Sequence, residues 1–439
     1  MAGKGLTNCP IADINAFGAR ILLLCDVVDT EIPKEGNKSG GSGAVSGRCG
    51  SMPLQVKTVH TWNGLEAIRP AWEEILRGAA GLTIFSTLEW LGAWWKAYGK
   101  DKELVAPVFS NSDDEIVGVV PLYTDLVEPA LPFRVKRLRF VGDGSEDSDN
   151  LDLIIRVGYE TSCLQAFLSW LGSNPDWGIC ELNTLPLDSA ALPLLNSELK
   201  TRRWTHRRLE RPRSTISLPN TWEKYLQQTI SRKEGTKIGY YSKRLQKRFQ
   251  VSISKCDNAQ ELPASLAALF GHHQERWRLR GGSGAFASAE RREFYYNMAS
   301  SFLERGWLEF WILQLDGSPV AAQYGFRYRN TVYSLQEGFD PAHSSDRVGY
   351  VLRAHVLRVL IGQGVRQYDF LGGEDPSKDR WGAQVGSYAD IHFARPLTQG
   401  ALYLRMDQAV RDLKNWLRTN LPAALLRALR KSKASAAPL

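Results

Sequence analysis

Apolar positions along this chain switch repeatedly between a helical spacing and a strict alternation. Trp62–Arg77 and Thr87–Tyr98 carry their apolar residues at helical spacing. Glu103–Ser110 and Glu115–Tyr123 alternate as strands around the turn-forming run Asn111-Ser112-Asp113-Asp114, which predicts a hairpin. Strands over Lys136–Val141 and Leu151–Ile155 follow, split by an acidic loop. About two hundred residues later the plan recurs. A helix over Arg291–Arg305 precedes a strand over Leu308–Leu315, the turn Asp316-Gly317-Ser318-Pro319, and strands over Val320–Tyr328 and Thr331–Glu337. Alternating helices and strands predict an α/β or mixed α+β fold, and the recurrence divides it into halves over 53–200 and 201–400.

The two ends read differently. Residues 1–52 lack periodicity, and Lys34–Gly50 is rich in Gly and Ser, so this stretch is expected to be a disordered leader or an upstream extension of a protein that starts at Met52. The run Ile21-Leu22-Leu23-Leu24-Cys25 fails as an export signal because Asp13 and Arg20 interrupt what should be an apolar core. In the tail, 401–439, Leu402, Met406, Ala409, Leu413, Trp416 and Leu417 recur at helical spacing. Pro422 restarts the pattern with Leu425, Leu426 and Leu429 among Arg427, Arg430, Lys431 and Lys433. The first of these helices is expected to pack on the second half, and the last to lie on anionic lipid.

The net charge of +8 suits an anionic ligand or surface, and much of it is concentrated in the tail and in a helix over Arg232–Phe249. That helix sets Ile238, Tyr241, Leu245 and Phe249 on one side and Lys233, Lys237, Arg244 and Arg248 on another. It reads as a solvated face or as a docking surface for phosphate. Six cysteines form neither a C-x-x-C pair nor a dense framework, so no metal site or disulfide scaffold is indicated and a reducing, cytoplasmic setting fits. No stretch approaches the ~20 apolar residues that span a bilayer.

Candidate chemistry concentrates between 335 and 381. After Glu337 comes the turn Gly338-Phe339-Asp340-Pro341, and Arg347-Val348-Gly349-Tyr350 then opens a long helix that runs to about Gly362. A strand that passes through a turn into a helix start presents free N–H groups and a positive dipole end, which suits pyrophosphate, and Arg347 adds a bidentate donor. Downstream, the strand Arg366–Leu371 closes on Gly372-Gly373-Glu374-Asp375-Pro376-Ser377-Lys378, packing acids and a Lys at a strand end. P-loop, dinucleotide and G-x-S-x-G signatures are absent.

Taken as a series, Gly317-x-Pro319-Val320-Ala321-Ala322, Glu337-Gly338-Phe339-Asp340-Pro341, the Gly349 helix start and Tyr368-Asp369-Phe370-x-Gly372-Gly373 with Lys378 and Trp381 resembles the CelD-like branch of GNAT acyltransferases. That branch is similar to the tandem-GNAT Fem aminoacyltransferases. Phe85-Ser86-x-x-Glu89-Trp90-Leu91, Val117-Gly118-x-x-Pro121-Leu122 and the loop Gly142–Asp152 extend the resemblance to the first half, so that it covers roughly residues 54–397. Where relatives often carry Ser-Pro-Gly, this chain has Arg347-Val348-Gly349.

The resemblance implies a tandem GNAT-like fold and transfer of an acyl group from acetyl-CoA or another acyl-CoA to an amine or hydroxyl. The acceptor it implies is a small molecule or a saccharide precursor of the envelope, with no metal. It places the thioester between splayed strands Thr331–Glu337 and Gln367–Leu371, with Glu337 and Asp369 as candidate bases and Tyr368 or Tyr388 as the acid. Arg347, Val348, Gly349, Tyr350 and Lys378 would hold the donor. His273, Arg276 and Trp277 would face the acceptor, and Asp152 belongs to an acidic loop suited to a cationic amine. Two other readings stand beside it: a Fem-like enzyme that takes its donor from charged tRNA, and a catalytically silent binding protein.

Overall fold

The structure, a computed structural model, describes residues 53–127, 134–373 and 375–420. The leader 1–52 and the basic end of the tail, including Arg427 and Lys433, lie outside the described residues. In the first half the strands are β1 (Gln55–Val59), β2 (Glu103–Ser110), β3 (Ile116–Val119), β4 (Leu122–Val127), β5 (Val135–Phe140), β6 (Ile154–Ile155) and β7 (Ile179–Pro186). In the second they are β8 (Thr205–Ser217), β9 (Val251–Lys255), β10 (Leu308–Leu315), β11 (Ser318–Tyr328), β12 (Thr331–Phe339), β13 (Gln367–Gly372) and β14 (Gln384–Ala394).

These strands form one mixed sheet in the order β6-β3-β2-β4-β5-β7-β14-β8-β13-β12-β11-β10-β9, with β1 on β2. Each half has an antiparallel run whose last strand pairs in parallel with the strand beyond a helical crossover. β5 pairs with β7 after the helix Glu160–Ser173, and β12 pairs with β13 after the helix Val348–Gly362. At the centre β8 and β14 are antiparallel over eleven residue pairs, from Thr205–Ala394 to Thr215–Gln384. β8 also pairs with β13, whereas β14 pairs with β7 of the first half. The last strand among the described residues therefore completes the sheet of the first half.

The core ties the halves further. Trp90, on the helix Leu88–Tyr98, is fully buried, with ring centroids 5.2 Å from Phe294 and 5.3 Å from Phe326 of the second half. Its indole N–H donates to Ser148 Oγ at 2.9 Å, so the polar end of the ring is satisfied as well.

Several sequence expectations need correction. Trp62–Arg77 is two helices, Trp62–Glu66 and Arg69–Gly78, because Pro70 in the first turn of the second cannot continue the first. The strand expected over Glu115–Tyr123 kinks at Val120-Pro121 into β3 and β4, both still paired with β2. The strand over Leu151–Ile155 shrinks to Ile154–Ile155. The tail helix Gln399–Asn420 does not pack along its length: Gly400, Ala401 and Leu404 are buried near β14, while Leu402, Met406, Val410, Leu413 and Trp416 are exposed. No helix among the described residues is long and apolar enough to cross a membrane.

Candidate functional site

β12 and β13 run in register only over Thr331–Tyr333 and Gln367–Asp369. Both then leave the ladder. β12 bulges at Leu335, since Tyr324 of β11 faces Gln336 and Gly325 faces Ser334. Gly325 permits this: a Cβ there would lie 2.4 Å from the Tyr333 carbonyl oxygen. β13 shifts its register against β8 between Asp369 and Gly372, with Leu371 in the left-handed region at φ +62°. The two strand ends splay into a V.

The β12 side of the V leads into a short 3-10 turn, Pro341–Asp346, and then into the helix Val348–Gly362. Arg347 stands at the helix N-cap with φ +58°, and no side chain caps the first turn; the Tyr350 N–H bonds the Arg347 carbonyl, which leaves the N–H groups of Val348 and Gly349 for a ligand. The Arg347 side chain is exposed beside them. Asp346, buried, anchors the turn to the basic helix Arg232–Arg248: Arg248 pairs with it closely, and Arg244 lies at 3.7 Å. Tyr350 donates to the Glu234 carboxylate at 3.0 Å and packs 4.7 Å from Trp381. Val348 is buried against the core.

Glu337, on the β12 wall, accepts from Arg353 Nε at 2.9 Å. The Arg353 guanidinium is held over Phe370 and Trp381, at 4.9 and 5.7 Å from their ring centroids. Arg276 lies 5.4 Å over Phe339, and burial pushes its pKa down against the opposing charges of Glu337 and Asp375. His273 is buried: its Nε2 accepts from Trp277 Nε1 at 3.1 Å, its Nδ1 has no partner, and burial lowers its pKa to about 4, so the ring is neutral. Trp277 itself is half exposed.

On the β13 wall the first half contributes a residue. Asp149 Oδ2 accepts from Gly372 N–H at 2.8 Å, and burial with the neighbouring Asp369 raises its pKa to about 6. Asp369 is buried, also pushed up by burial, with Arg213 at 3.6 Å and the Leu371 N–H at 2.8 Å. Lys378 folds back onto the strand end, its Nζ 2.8 and 3.0 Å from the carbonyl oxygens of Gly373 and Gly372. Burial lowers its pKa.

The structure thus brings together Glu337, Arg347, Gly349, Tyr350, His273, Arg276 and Trp277 around the β12 wall, and Asp369 with Lys378 around β13. Tyr368 lies beside the Glu337–Arg353 pair and Tyr388 beside Asp149 and Asp369, but both are buried, and Asp152 stands apart. Tyr368 is sealed on the helix side of the sheet, where its oxygen accepts from Gln323 Nε2 at 2.8 Å, and burial raises its pKa to about 12. Tyr388 is equally buried, accepting from Asn150 Nδ2 at 3.1 Å, and is also pushed up. Neither hydroxyl reaches an open surface. Asp152 lines a separate cavity of about 180 Å³ with Leu82, Pro186 and Ser189. Arg353 and Gln323 escaped sequence reasoning. Among the described residues no group of three His, Cys, Asp or Glu side chains could hold a metal ion.

Residues 232–379 match the family described as Acetyltransferase (GNAT) domain. No curated protein matches the chain. Among solved structures, FemX aligns over 76% of this chain and 96% of its own at 12% identity and a TM-score of 0.51. A conserved protein of unknown function from Bacteroides thetaiotaomicron aligns over 78% and 99% at 10% identity and a TM-score of 0.50. A tandem GNAT protein from the clavulanic acid biosynthesis pathway aligns over 77% and 98% at 10% identity and a TM-score of 0.42. The fold is the mixed α/β GNAT fold, with a transferase-type domain in the second half.

Proposed function

We propose that this chain transfers an acyl group from an acyl-CoA to an amine. The observation that carries this reading is the V between β12 and β13, opened by the Leu335 bulge and continued by an uncapped helix start with Arg347 beside it. A pantetheine arm would lie in the V with its pyrophosphate on the N–H groups of Val348 and Gly349. Bound there, the thioester supplies the activated carbonyl. Glu337, oriented by Arg353, takes a proton from the acceptor's ammonium; the freed amine attacks the thioester carbonyl, the C–S bond breaks, and CoA leaves as a thiolate that solvent protonates. Asp149 and Asp369 line the opposite wall and attract a cationic acceptor. Tyr368 and Tyr388 hold the strands in place rather than exchange protons. A saccharide acceptor, the CelD-like branch and a cytoplasmic setting at the inner membrane face complete this reading.

A donor carried on tRNA is the alternative that the FemX likeness keeps in view. In the basic helix Arg244 and Arg248 are engaged by Asp346 and Lys237 by Glu234, which leaves Arg232, Lys233, Lys243 and Lys247 exposed for phosphate contacts and narrows this alternative without removing it. A thermal-shift screen against acyl-CoAs, with mass spectrometry of the products, tests the proposal. A rise in melting temperature with acyl-CoA supports it. No shift with any acyl-CoA, together with a shift on charged tRNA, overturns it in favour of the alternative.

A further inference from the structure

A second cavity, of about 810 Å³, lies between the helix Leu88–Tyr98 of the first half and the helix Ala289–Glu304 of the second. None of its lining residues belongs to the V or its walls. Its volume falls within the ~300–1,000 Å³ typical of small-molecule sites. Trp62 and Trp95 form one wall, with ring planes 16° apart and centroids 6.5 Å apart. The arrangement depends on Gly92, where a Cβ would meet the Trp62 ring at 2.9 Å.

The charged groups around the cavity cancel. Three acids, Glu66, Glu89 and Glu304, face three bases, Arg69, Lys96 and Arg305. Most are already spent on one another: Arg69 pairs with Glu66 and Glu89, each at 2.7 Å, and Arg305 reaches Glu89 at 2.5 Å. The cavity therefore has no net charge with which to select an ion. Lys96 and Glu304, outside these pairs, are exposed and of opposite sign. Asn297 accepts from Lys96 through Oδ1 at 3.0 Å, but its buried Nδ2 has no partner, and the side chain of Ser300 lies beside it. Indole rings beside hydrogen-bonding side chains call for a ligand with an apolar face and hydroxyls on its rim.

We infer that this cavity binds a neutral saccharide, its ring faces on Trp62 and Trp95 and its hydroxyls on Asn297 and the ion-paired rim. The site is independent of the donor, and it makes the two halves share a ligand. The test is saturation-transfer NMR and titration of the full chain with neutral tetrasaccharides of glucose and of N-acetylglucosamine, beside glucuronate and indole as charged and purely apolar controls. The expected result is binding of at least one neutral tetrasaccharide, weakened at least tenfold by Trp95→Ala and by Ser300→Trp, and unchanged by Gly349→Glu. Ser300→Trp fills the cavity without removing a core residue, so it stands in should Trp95→Ala fail to fold. No binding of any neutral tetrasaccharide at millimolar concentration, binding that survives both cavity variants, or equal response to glucuronate or indole would each overturn the inference.

Discussion

Arg353 reaches from the helix Val348–Gly362 to donate to Glu337 of β12, with Nε 2.9 Å from Oε1, while its guanidinium lies over Phe370 and Trp381. The pair fixes a carboxylate at the mouth of the V by means of a cation that the sheet has almost closed over. Glu337→Gln keeps an acceptor oxygen for Arg353 but removes the charge. Thiol release from acyl-CoA should fall by about 10²–10⁴-fold, the usual contribution of a general base, with donor affinity unchanged. Arg353 would also lose its counter-ion, at a cost of roughly 1–2 kcal/mol, less than the ~3–5 kcal/mol of a fully buried pair because Glu337 is partly exposed. Kinetics and urea unfolding of the variant measure both. A rate within twofold of wild type would remove Glu337 from the proton path.

Gly349→Glu should abolish CoA binding. A Cβ at this position would come no closer than 3.6 Å to Phe339, so the fold has room for the substitution while the carboxylate repels the pyrophosphate. Isothermal titration with CoA decides it, and unchanged affinity in a folded variant would move the donor elsewhere.

The raised pKa of Asp149 predicts a pH dependence of stability. Its folded value of about 6 stands above the ~3.9 of an unfolded aspartate, so the native state binds this proton more tightly. Its favourable contribution is fully present below about pH 4 and is lost as pH rises through 6. Asp149→Asn, which retains an oxygen for the Gly372 N–H, should therefore match wild type near pH 4 and exceed it by about 3 kcal/mol at pH 8. Urea unfolding at the two pH values checks this. An equal offset at both would mean that burial does not set the group's protonation.

Along the tail helix, exposed Leu402, Met406, Val410, Leu413 and Trp416 form a stripe that leads toward the basic residues of 421–439. Basic residues near anionic lipid contribute about 1 kcal/mol each. The full chain should float with anionic vesicles at low salt, and a chain ending at Asn420 should float less. Equal flotation of the two would show that the last nineteen residues make no membrane contact.

Much of the second half was legible because its periods are clean. The strand over Leu308–Leu315 and the helix ending near Gly362 were readable from their spacing, whereas the bulge opposite Gly325 was not anticipated. The centre of the sheet was not legible. β8 reads Thr-His-Arg-Arg-Leu-Glu-Arg-Pro-Arg-Ser-Thr-Ile-Ser, with few apolar residues and a Pro, which argues against an interior strand. It serves because its arginines are paired from neighbouring elements, Arg211 with Asp390 and Arg207 with Asp407, and because Pro212 lies where β13 shifts register. The Arg353–Glu337 pair was hidden for a related reason: sixteen residues separate them in sequence, and only the helical crossover brings them together.

The exchange of β14 into the first half bears on how the chain is made. β7 is buried along its whole length, yet one of its two neighbours is the last strand of the sheet to be synthesised. About two hundred residues separate them, so a ribosome adding 5–20 residues per second leaves that hydrophobic edge without its partner for roughly 10–40 s. During that interval the nascent first half offers an open strand to any other chain, and a nascent-chain chaperone has its reason to bind there.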